Sequence, residues 1–510
     1  MTRSIFVSRF RLFFALLLVL YFLSHLINLT QLPVFADEAI YIRWAQLAKN
    51  EPDKYLFYPM LDGKPPLHAW LIIPFLEVFS DPLLASRFLS VIIGFLTIIT
   101  FDQLIKLLGG NSLTRLFATL VIIITPYWFF HHRMGLAEAL LAFSFTLSLY
   151  VGLKLMYHPS IKNLFFFTLS FAISLWTKTN SLFFIPSLAL IPLLFLANTN
   201  QKLSFSNIKK TYHSKPTFFL AIAGFLGLIL FLLLKFTPLF SFLFTRSVDY
   251  TFTFSEIING QWRYILKHNL PVTLYWLIWY LTPFLALFMF LGKRQNIILA
   301  LMALSYISPL IIMGRVIAPR YFFPSAIFFT LMAVFGFKQI VNKKKLKKFI
   351  APLLSLFIIF SLRFDYFSVF NPDNTPFVPI DKTQYLTEWS SGHGIPQVRD
   401  YIKSKDRTQK ITVATEGFFG TLPDGLLMYF DRRPTYENVE VYGVGQPITT
   451  ISPQIIKSAS SPDREVYLIV NSHRFHIDPL PEYMEKIDEF PRPYNGPSLL
   501  FFRIYPKAKT

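Results

Sequence analysis

The chain has 510 residues, 53% of them hydrophobic and only 15% charged, well below the roughly 25% charge of soluble domains. Many windows of about 20 residues are almost free of charge, the length a helix needs to cross a bilayer, and these runs do not alternate, which excludes a membrane β-barrel. With no cysteine, disulfides, thiolate chemistry and cysteine-ligated metals are excluded, and the net charge of +20 is read as basic cytoplasmic connections that hold a membrane topology, with no nucleic-acid partner.

Taken in order, Arg3, Arg9 and Arg11 precede an apolar run at 12–29. No small-residue cleavage site stands out, so the run reads as a retained first helix and not a signal peptide. A first outer loop, 30–83, follows. It opens with Phe35-Ala36-Asp37-Glu38-Ala39-Ile40-Tyr41, two adjacent carboxylates where the chain leaves the bilayer. On a helical wheel Asp37, Tyr41, Trp44 and Ala48 share one face, and Arg43, Gln46 and Lys49 lie on the other. Asp37 is thus expected on the apolar face of a helix lying at the membrane surface. A charge there is costly without a partner or a task; the other reading of Asp37 is a helix N-cap. The stretch 67–79 is too short to span and is broken by Ser80-Asp81-Pro82, so it reads as a second interfacial helix. Further spans are expected near 84–105, 115–131, 136–156, 164–178, 181–197, 217–235, 272–291, 296–313, 322–340 and 349–362, about eleven in all.

Loop charge orients them. With the N-terminus cytoplasmic, the inner connections hold Lys106 and Arg115; Lys154 and Lys162; Lys202, Lys209, Lys210 and Lys215; Lys293 and Arg294; and Lys343, Lys344, Lys345, Lys347 and Lys348. The outer connections are less basic and hold Asp37, Glu38 and Glu138. An odd number of spans puts everything after 362 outside. That segment, 363–510, is rich in Pro, Asp and Gly with short hydrophobic runs. Strands are expected at 410–414, 439–442, 465–470 and 499–504, with helices near 394–404, 420–430 and 452–459. The fold class expected is a polytopic α-helical membrane protein, with a transmembrane domain at 1–362 and a small extracytoplasmic α/β domain at 363–510, in the cell membrane.

The polar residues Asp37, Glu38, Lys64, His68, Arg87, His131, His132, Arg133, Glu138, Lys178, Arg315, Arg320 and Tyr321 all fall at outer ends of spans or in outer loops. Such a one-sided set suits a reaction between a lipid-borne anionic donor and a polar acceptor. A sugar on a polyprenyl phosphate already has a good leaving group. The site then needs a carboxylate to take the acceptor's proton and cations to hold the departing phosphate. No nucleotide-binding loop is present. Asp37 is the candidate base, and Glu138 the second carboxylate or a first-turn acid favoured by the helix dipole. Lys64, in Gly63-Lys64-Pro65-Pro66-Leu67, is a phosphate ligand or a snorkelling lysine. Arg320-Tyr321 is a phosphate clamp or an interfacial anchor, and Lys178 another anion ligand or an anchor. Tyr41, on the Asp37 face, joins the donor-binding set. His131 and His132 could ligate a metal, although adjacent histidines point apart on a helix; Asp37, Glu138 and a histidine could likewise hold a divalent ion. Arg87 reads as structural. The loop 236–271 reads as a flap over the site or an inert connector.

Asp37-Glu38 after the first span, Gly-Lys-Pro-Pro-Leu at 63–67, Ser86-Arg87-Phe88, Arg133 with Gly135-Leu136-Ala137-Glu138, and Thr177-Lys178 together resemble the polytopic GT-C membrane glycosyltransferases, in the branch of the bacterial protein O-mannosyltransferases and the lipid A aminoarabinose transferase. The resemblance covers about 30–200; Arg320-Tyr321 extends it. It implies a polyprenyl-phosphate-linked sugar donor, an inverting transfer, a catalytic Asp at the position of Asp37 with Glu38 in the same acidic pair, a lysine touching the lipid phosphate at Lys64, and a second carboxylate at Glu138. Two departures leave donor and acceptor open: Ala39-Ile40 stands where the aminoarabinose branch has an arginine, and no large insertion is present in an outer loop.

The leading expectation is therefore a membrane glycosyltransferase that moves a sugar from a polyprenyl-phosphate carrier to an extracytoplasmic protein, lipid or glycan. A transporter or flippase for lipid-linked glycans is the alternative. It would use the same cations but needs a polar path through the bilayer, and deep polar residues are few. A non-catalytic assembly subunit is a third reading.

Overall fold

The computed structural model describes residues 2–199, 201–292, 294–343, 347–431 and 436–507. Lys293, Lys344 and Lys345, assigned above to inner connections, lie outside the described residues. The chain divides into two compact units. One comprises Met1–Leu29, Asp53–Leu71 and Arg87–Asn371; the other comprises Thr30–Pro52, Ile72–Ser86 and everything from Pro372 onwards.

The first unit is helical. Eight helices among the described residues are long and apolar enough to cross a membrane alone. A ninth is formed if the pair Phe254–Leu281 and Pro283–Met289, bent by 99°, is one span. The eleven apolar segments read from the sequence are all helical, and the lower count is a matter of length. Ser112–Ile124 and Ile161–Thr177 are shorter apolar helices. The 115–131 segment breaks at Thr125 (φ −67°, ψ 128°), since a residue before proline is pushed out of the helical region and Pro126 follows. The 272–291 segment breaks at Thr282, whose φ of 68° precedes Pro283.

The first helix, α1 (Thr2–Leu26), shows how buried cations are used structurally. The last carbonyls of a helix lack internal partners. Here the buried Arg133 donates to Ser24 O at 2.8 Å, Ile27 O at 2.9 Å and Asn28 O at 3.2 Å. The buried Arg87 donates to Leu29 O at 2.9 Å. Both guanidinium groups thus cap the exit of α1, which gives Arg87 the structural role read from sequence. Tyr21 Oη donates to Val91 O at 2.7 Å, and a Cβ at Gly94 would lie 2.2 Å from that hydroxyl, so only glycine lets the two helices meet there.

The second unit is an α/β domain. Among the described residues its sheet has five strands, β1 (Lys410–Thr415), β2 (Val439–Gly443), β3 (Arg464–Asn471), β4 (Met484–Phe490) and β5 (Leu499–Ile504), in the order β2-β1-β3-β5-β4. β2, β1 and β3 are parallel, and β5 runs antiparallel to β3 and β4. Four strands lie where the sequence places them, as do the helices Ile395–Lys403, Thr421–Phe430 and Pro453–Ala459. β4 is the one not foreseen. It is an edge strand whose residues Glu485, Lys486, Asp488 and Glu489 carry no hydrophobic run, a common defence of sheet edges.

The helix after α1, α2 (Ala36–Asn50), differs from expectation. It was expected to keep one polar face in water, yet its residues are buried on both faces. Ala39 and Ile42, on the face opposite Asp37, join the core formed by Val398, Val413, Leu426 and Phe501 on one side of the sheet. Two polar residues of that face, Arg43 and Gln46, have partners distant in sequence. Arg43 pairs with the Asp431 carboxylate, and Gln46 Nε2 donates to Met428 O at 2.8 Å. The helix that carries Asp37 is thus a structural layer of the α/β unit. Where the chain enters this unit after the last span, His393 bridges Asp373 Oδ1 (2.9 Å) and Ser391 Oγ (2.6 Å).

Candidate active site

Within the helical unit, three helix ends converge on Glu138. The helix Ala137–Tyr157 begins there, Lys178 follows the helix Ile161–Thr177, and Arg320 opens the helix Pro319–Phe322. Lys178 Nζ donates to Glu138 Oε1 at 2.5 Å, and Arg320 Nε lies 4.0 Å from the same oxygen. Both cations also lie over the Tyr321 ring, each 5.3 Å from its centroid, where the negative ring face attracts positive charge. The backbone of this corner is held by Tyr306 Oη donating to Tyr321 O at 3.2 Å and by Asn180 Nδ2 donating to Tyr306 Oη at 3.2 Å. One buried carboxylate thus gathers two cations of the kind that hold phosphate. Glu138, Lys178, Arg320 and Tyr321, all singled out from the sequence, are brought together, although Glu138 and Lys178 are 40 residues apart.

Lys64 sits in a second cluster of the same unit. Gly63 adopts a left-handed conformation (φ 71°), which glycine takes without strain. The reversal turns Lys64 back on Asp62, with Nζ 3.3 Å from Oδ2. Arg246 pairs with the other oxygen of Asp62. The segment containing Arg246 is tied down further: Phe252 N donates to Met313 O at 2.7 Å, and Arg315 pairs with Glu256 at 2.6 Å. The 236–271 stretch is therefore packed on the Lys64 turn and on residues 313–315. His68 Nε2 lies 3.3 Å from Gly135 O, which links the start of the helix Leu67–Val78 to the loop preceding Glu138.

Asp37, Glu38 and Tyr41 belong to the α/β unit. Asp37 is not the N-cap: it is the second residue of α2, with Phe35 in the capping position, and its side chain is partly exposed. Glu38 is buried, and its carboxylate accepts the Phe35 N–H at 3.0 Å, satisfying a donor at the helix start. Tyr41 is buried with its ring edge-on to Trp44, 5.6 Å between centroids.

The two adjacent histidines are buried among aromatic rings. His131 donates from Nδ1 to Tyr127 O at 2.9 Å and stacks on Phe323 at 4.3 Å. His132 packs near Trp128 at 5.4 Å and Tyr21 at 6.2 Å. Among the described residues no group of three or more His, Asp or Glu side chains gathers to hold a metal ion.

Two members of these clusters were not foreseen. Asp62 was passed over although Asp-Gly is a turn signal that places it beside Lys64. Arg246 lies in the loop 236–271, read as a flap or an inert connector, and its pairing with Asp62 spans 184 positions, so no local pattern announces it.

The family model of the dolichyl-phosphate-mannose-protein mannosyltransferases matches residues 63–231, which include Lys64, Glu138 and Lys178. No curated protein matches the chain. ArnT from Cupriavidus metallidurans is similar in its apo state at a TM-score of 0.56 and 13% identity, over 98% of each chain. The same protein bound to undecaprenyl phosphate gives 0.54 at 13% identity, over 96% of this chain and 97% of that one. The Pmt1–Pmt2 protein O-mannosyltransferase complex of S. cerevisiae, bound to the sugar donor, matches 48% of this chain and 36% of that one at 20% identity and a TM-score of 0.36, too loose to bear on the argument. From the helical unit through the terminal sheet, this multi-span membrane protein thus shares its fold with ArnT.

Proposed function

We propose that the protein is a membrane glycosyltransferase that moves one sugar from a polyprenyl-phosphate donor to an extracytoplasmic acceptor with inversion at the anomeric carbon. The observation that carries this reading is the buried Glu138–Lys178–Arg320 cluster at the ends of apolar helices, in a fold shared with a protein captured with undecaprenyl phosphate. In the proposed step an acceptor O–H attacks the anomeric carbon, and the bond from that carbon to the phosphate oxygen breaks. The Asp37 carboxylate takes the acceptor's proton. The electron pair leaves with the polyprenyl phosphate, whose developing charge is met by Lys178, Arg320 and Lys64. Glu138 acts as a positioning residue: it holds both cations in fixed geometry. Glu38 fixes the first turn of α2, so that Asp37 is presented on an ordered helix, with Tyr41 one turn on. The proposed orientation has a cytoplasmic N-terminus and an extracytoplasmic α/β unit, as the lysine-rich connections favour.

The test is transfer of label from a synthetic radiolabelled polyprenyl-phosphate sugar to a cell-envelope fraction by the purified protein, with the product's anomeric configuration read by NMR. Asp37→Asn is expected to abolish transfer while the melting temperature is unchanged. Transfer near the wild-type rate in that variant removes Asp37 from the chemistry, and a product with retained configuration removes the single displacement.

A further inference from the structure

The α/β unit contains a crevice that the transfer step does not use. Strands β2, β1 and β3 are parallel, and β1 has a neighbour on each side. The helix Thr421–Phe430 connects β1 to β2, and its Leu426 packs in the core on one face of the sheet. The helix Pro453–Ala459 connects β2 to β3, and its Ile455 packs in the core on the other face. The crossovers therefore diverge at the carboxyl end of β1, which opens a crevice there; in open α/β sheets this is where ligands bind. A cavity of about 310 Å³ lies at that point, lined by Trp389, Glu416, Phe418, Phe419, Gln446 and Arg474 among others, at the lower end of small-molecule sites.

Its chemistry is a rigid polar floor beside an open aromatic wall. Glu416, only 2% exposed, accepts from Asn471 N at 2.9 Å, Asn471 Nδ2 at 2.5 Å and Arg474 Nη1 at 3.0 Å. Arg474 is thereby held over Trp389, 4.8 Å from the ring centroid. Phe418 is 76% exposed, an unusual state for a phenylalanine at the mouth of a polar cleft; a Cβ at Gly445 would lie 3.4 Å from its ring. The loop Gly417-Phe418-Phe419-Gly420 leads into a helix, a place where phosphate often binds. Here the position is taken: Gly420 N donates to Asp424 Oδ2 at 2.8 Å, and the Glu416 carboxylate adds negative charge. An anion is disfavoured on both counts. A pyranose suits the crevice, because its axial C–H bonds lie on an aromatic face while its hydroxyls meet the guanidinium, the carboxylate and the Gln446 amide.

We propose that this crevice binds a saccharide, and that this saccharide is the acceptor of the transfer or part of it. The acceptor assignment rests on the glycosyltransferase reading; the binding does not. The full-length protein, in a sugar-free detergent such as lauryldimethylamine oxide, is titrated with the methyl pyranosides of glucose, galactose, mannose and N-acetylglucosamine, with the N-acetylglucosamine disaccharide, and with inorganic phosphate. Binding is followed by saturation-transfer NMR and tryptophan fluorescence. At least one glycoside is expected to bind saturably, and tenfold or more weakly in Phe418→Ala and Gln446→Ala. Both cleft side chains are exposed, so these variants are expected to keep the wild-type melting temperature. Absence of saturable binding across the panel, binding indifferent to Phe418→Ala, or preferential binding of phosphate overturns the proposal. Glycoside binding by a wild-type protein that shows no transfer from a polyprenyl-phosphate sugar upholds the saccharide site and overturns its assignment to an acceptor.

Discussion

Lys178 and Glu138 make the sharpest stability prediction, because the pair is buried and shared with a third charge. Their side chains are 17% and 3% exposed. Two unit charges about 4 Å apart attract by about 4 kcal/mol at an effective dielectric of about 20, and removing one partner of a buried pair costs about 3–5 kcal/mol because the other is left uncompensated. The Glu138 charge retains Arg320 at 4.0 Å, so Lys178→Met is expected at the low end, about 3 kcal/mol. Glu138→Gln leaves two cations facing each other with no carboxylate between them, and is expected at the high end. The double variant Glu138→Gln/Lys178→Met retains only Arg320 and is expected to be less destabilised than the sum of the singles by about 2–4 kcal/mol. The assay is a double-mutant cycle on unfolding of the purified protein in one detergent, read as midpoint shifts by tryptophan fluorescence. Effects that add to within about 0.5 kcal/mol, as distant sites do, refute the cluster as a coupled unit. Arg320→Met provides the control: its nitrogen is farther from the carboxylate, so its coupling to Glu138 is expected to be smaller than that of Lys178.

Three further outcomes are expected. Lys64→Gln should raise the KM for the polyprenyl-phosphate donor about tenfold or more, as loss of a charge-assisted hydrogen bond of about 1.5–3 kcal/mol requires, with the melting temperature unchanged; an unaltered KM would falsify its role as a phosphate ligand. Arg133→Met should destabilise the helical unit by about 3 kcal/mol or more, since three carbonyls at the end of α1 lose their donor; Arg133→Lys, which lacks the fork, should recover only part of this, and full recovery of the midpoint by lysine speaks against the cap. In the α/β unit, burial pushes the Asp424 carboxyl up to about 6, partly offset by the Gly420 N–H and by Arg43. Between about pH 4 and pH 6 the folded state then binds more protons than the unfolded chain, so this group's contribution to stability falls as pH rises through that window, by about 2–3 kcal/mol in total. Asp424→Asn keeps an acceptor for Gly420 N, and should flatten that slope and raise the unfolding midpoint at pH 7.5; an unchanged slope counts against the buried carboxyl.

Much of the architecture was legible in the sequence for a local reason. Apolar runs long enough for a bilayer, proline breaks and β-branched strands are properties of neighbouring residues, so the helices, four of the five strands and the three helices between them could be placed without a third dimension. β4 escaped because an edge strand buries little and carries charges instead of a hydrophobic run. The residue types of the candidate site were also legible, as polar residues collected at one end of apolar spans. Their grouping was not: Glu138, Lys178 and Arg320 meet only because three helices end together, and Asp62 meets Arg246 across a long connection. The burial of α2 was least accessible. Its charge pattern predicts a helix with one face in water, and only Asp431 and the Met428 carbonyl, nearly 400 positions away, allow Arg43 and Gln46 to be enclosed. Local pattern decides which segments become helix or strand, since that choice rests on periodicity within a few turns. Which charges share a pocket rests on contacts between distant segments, and those exist only after the chain has packed.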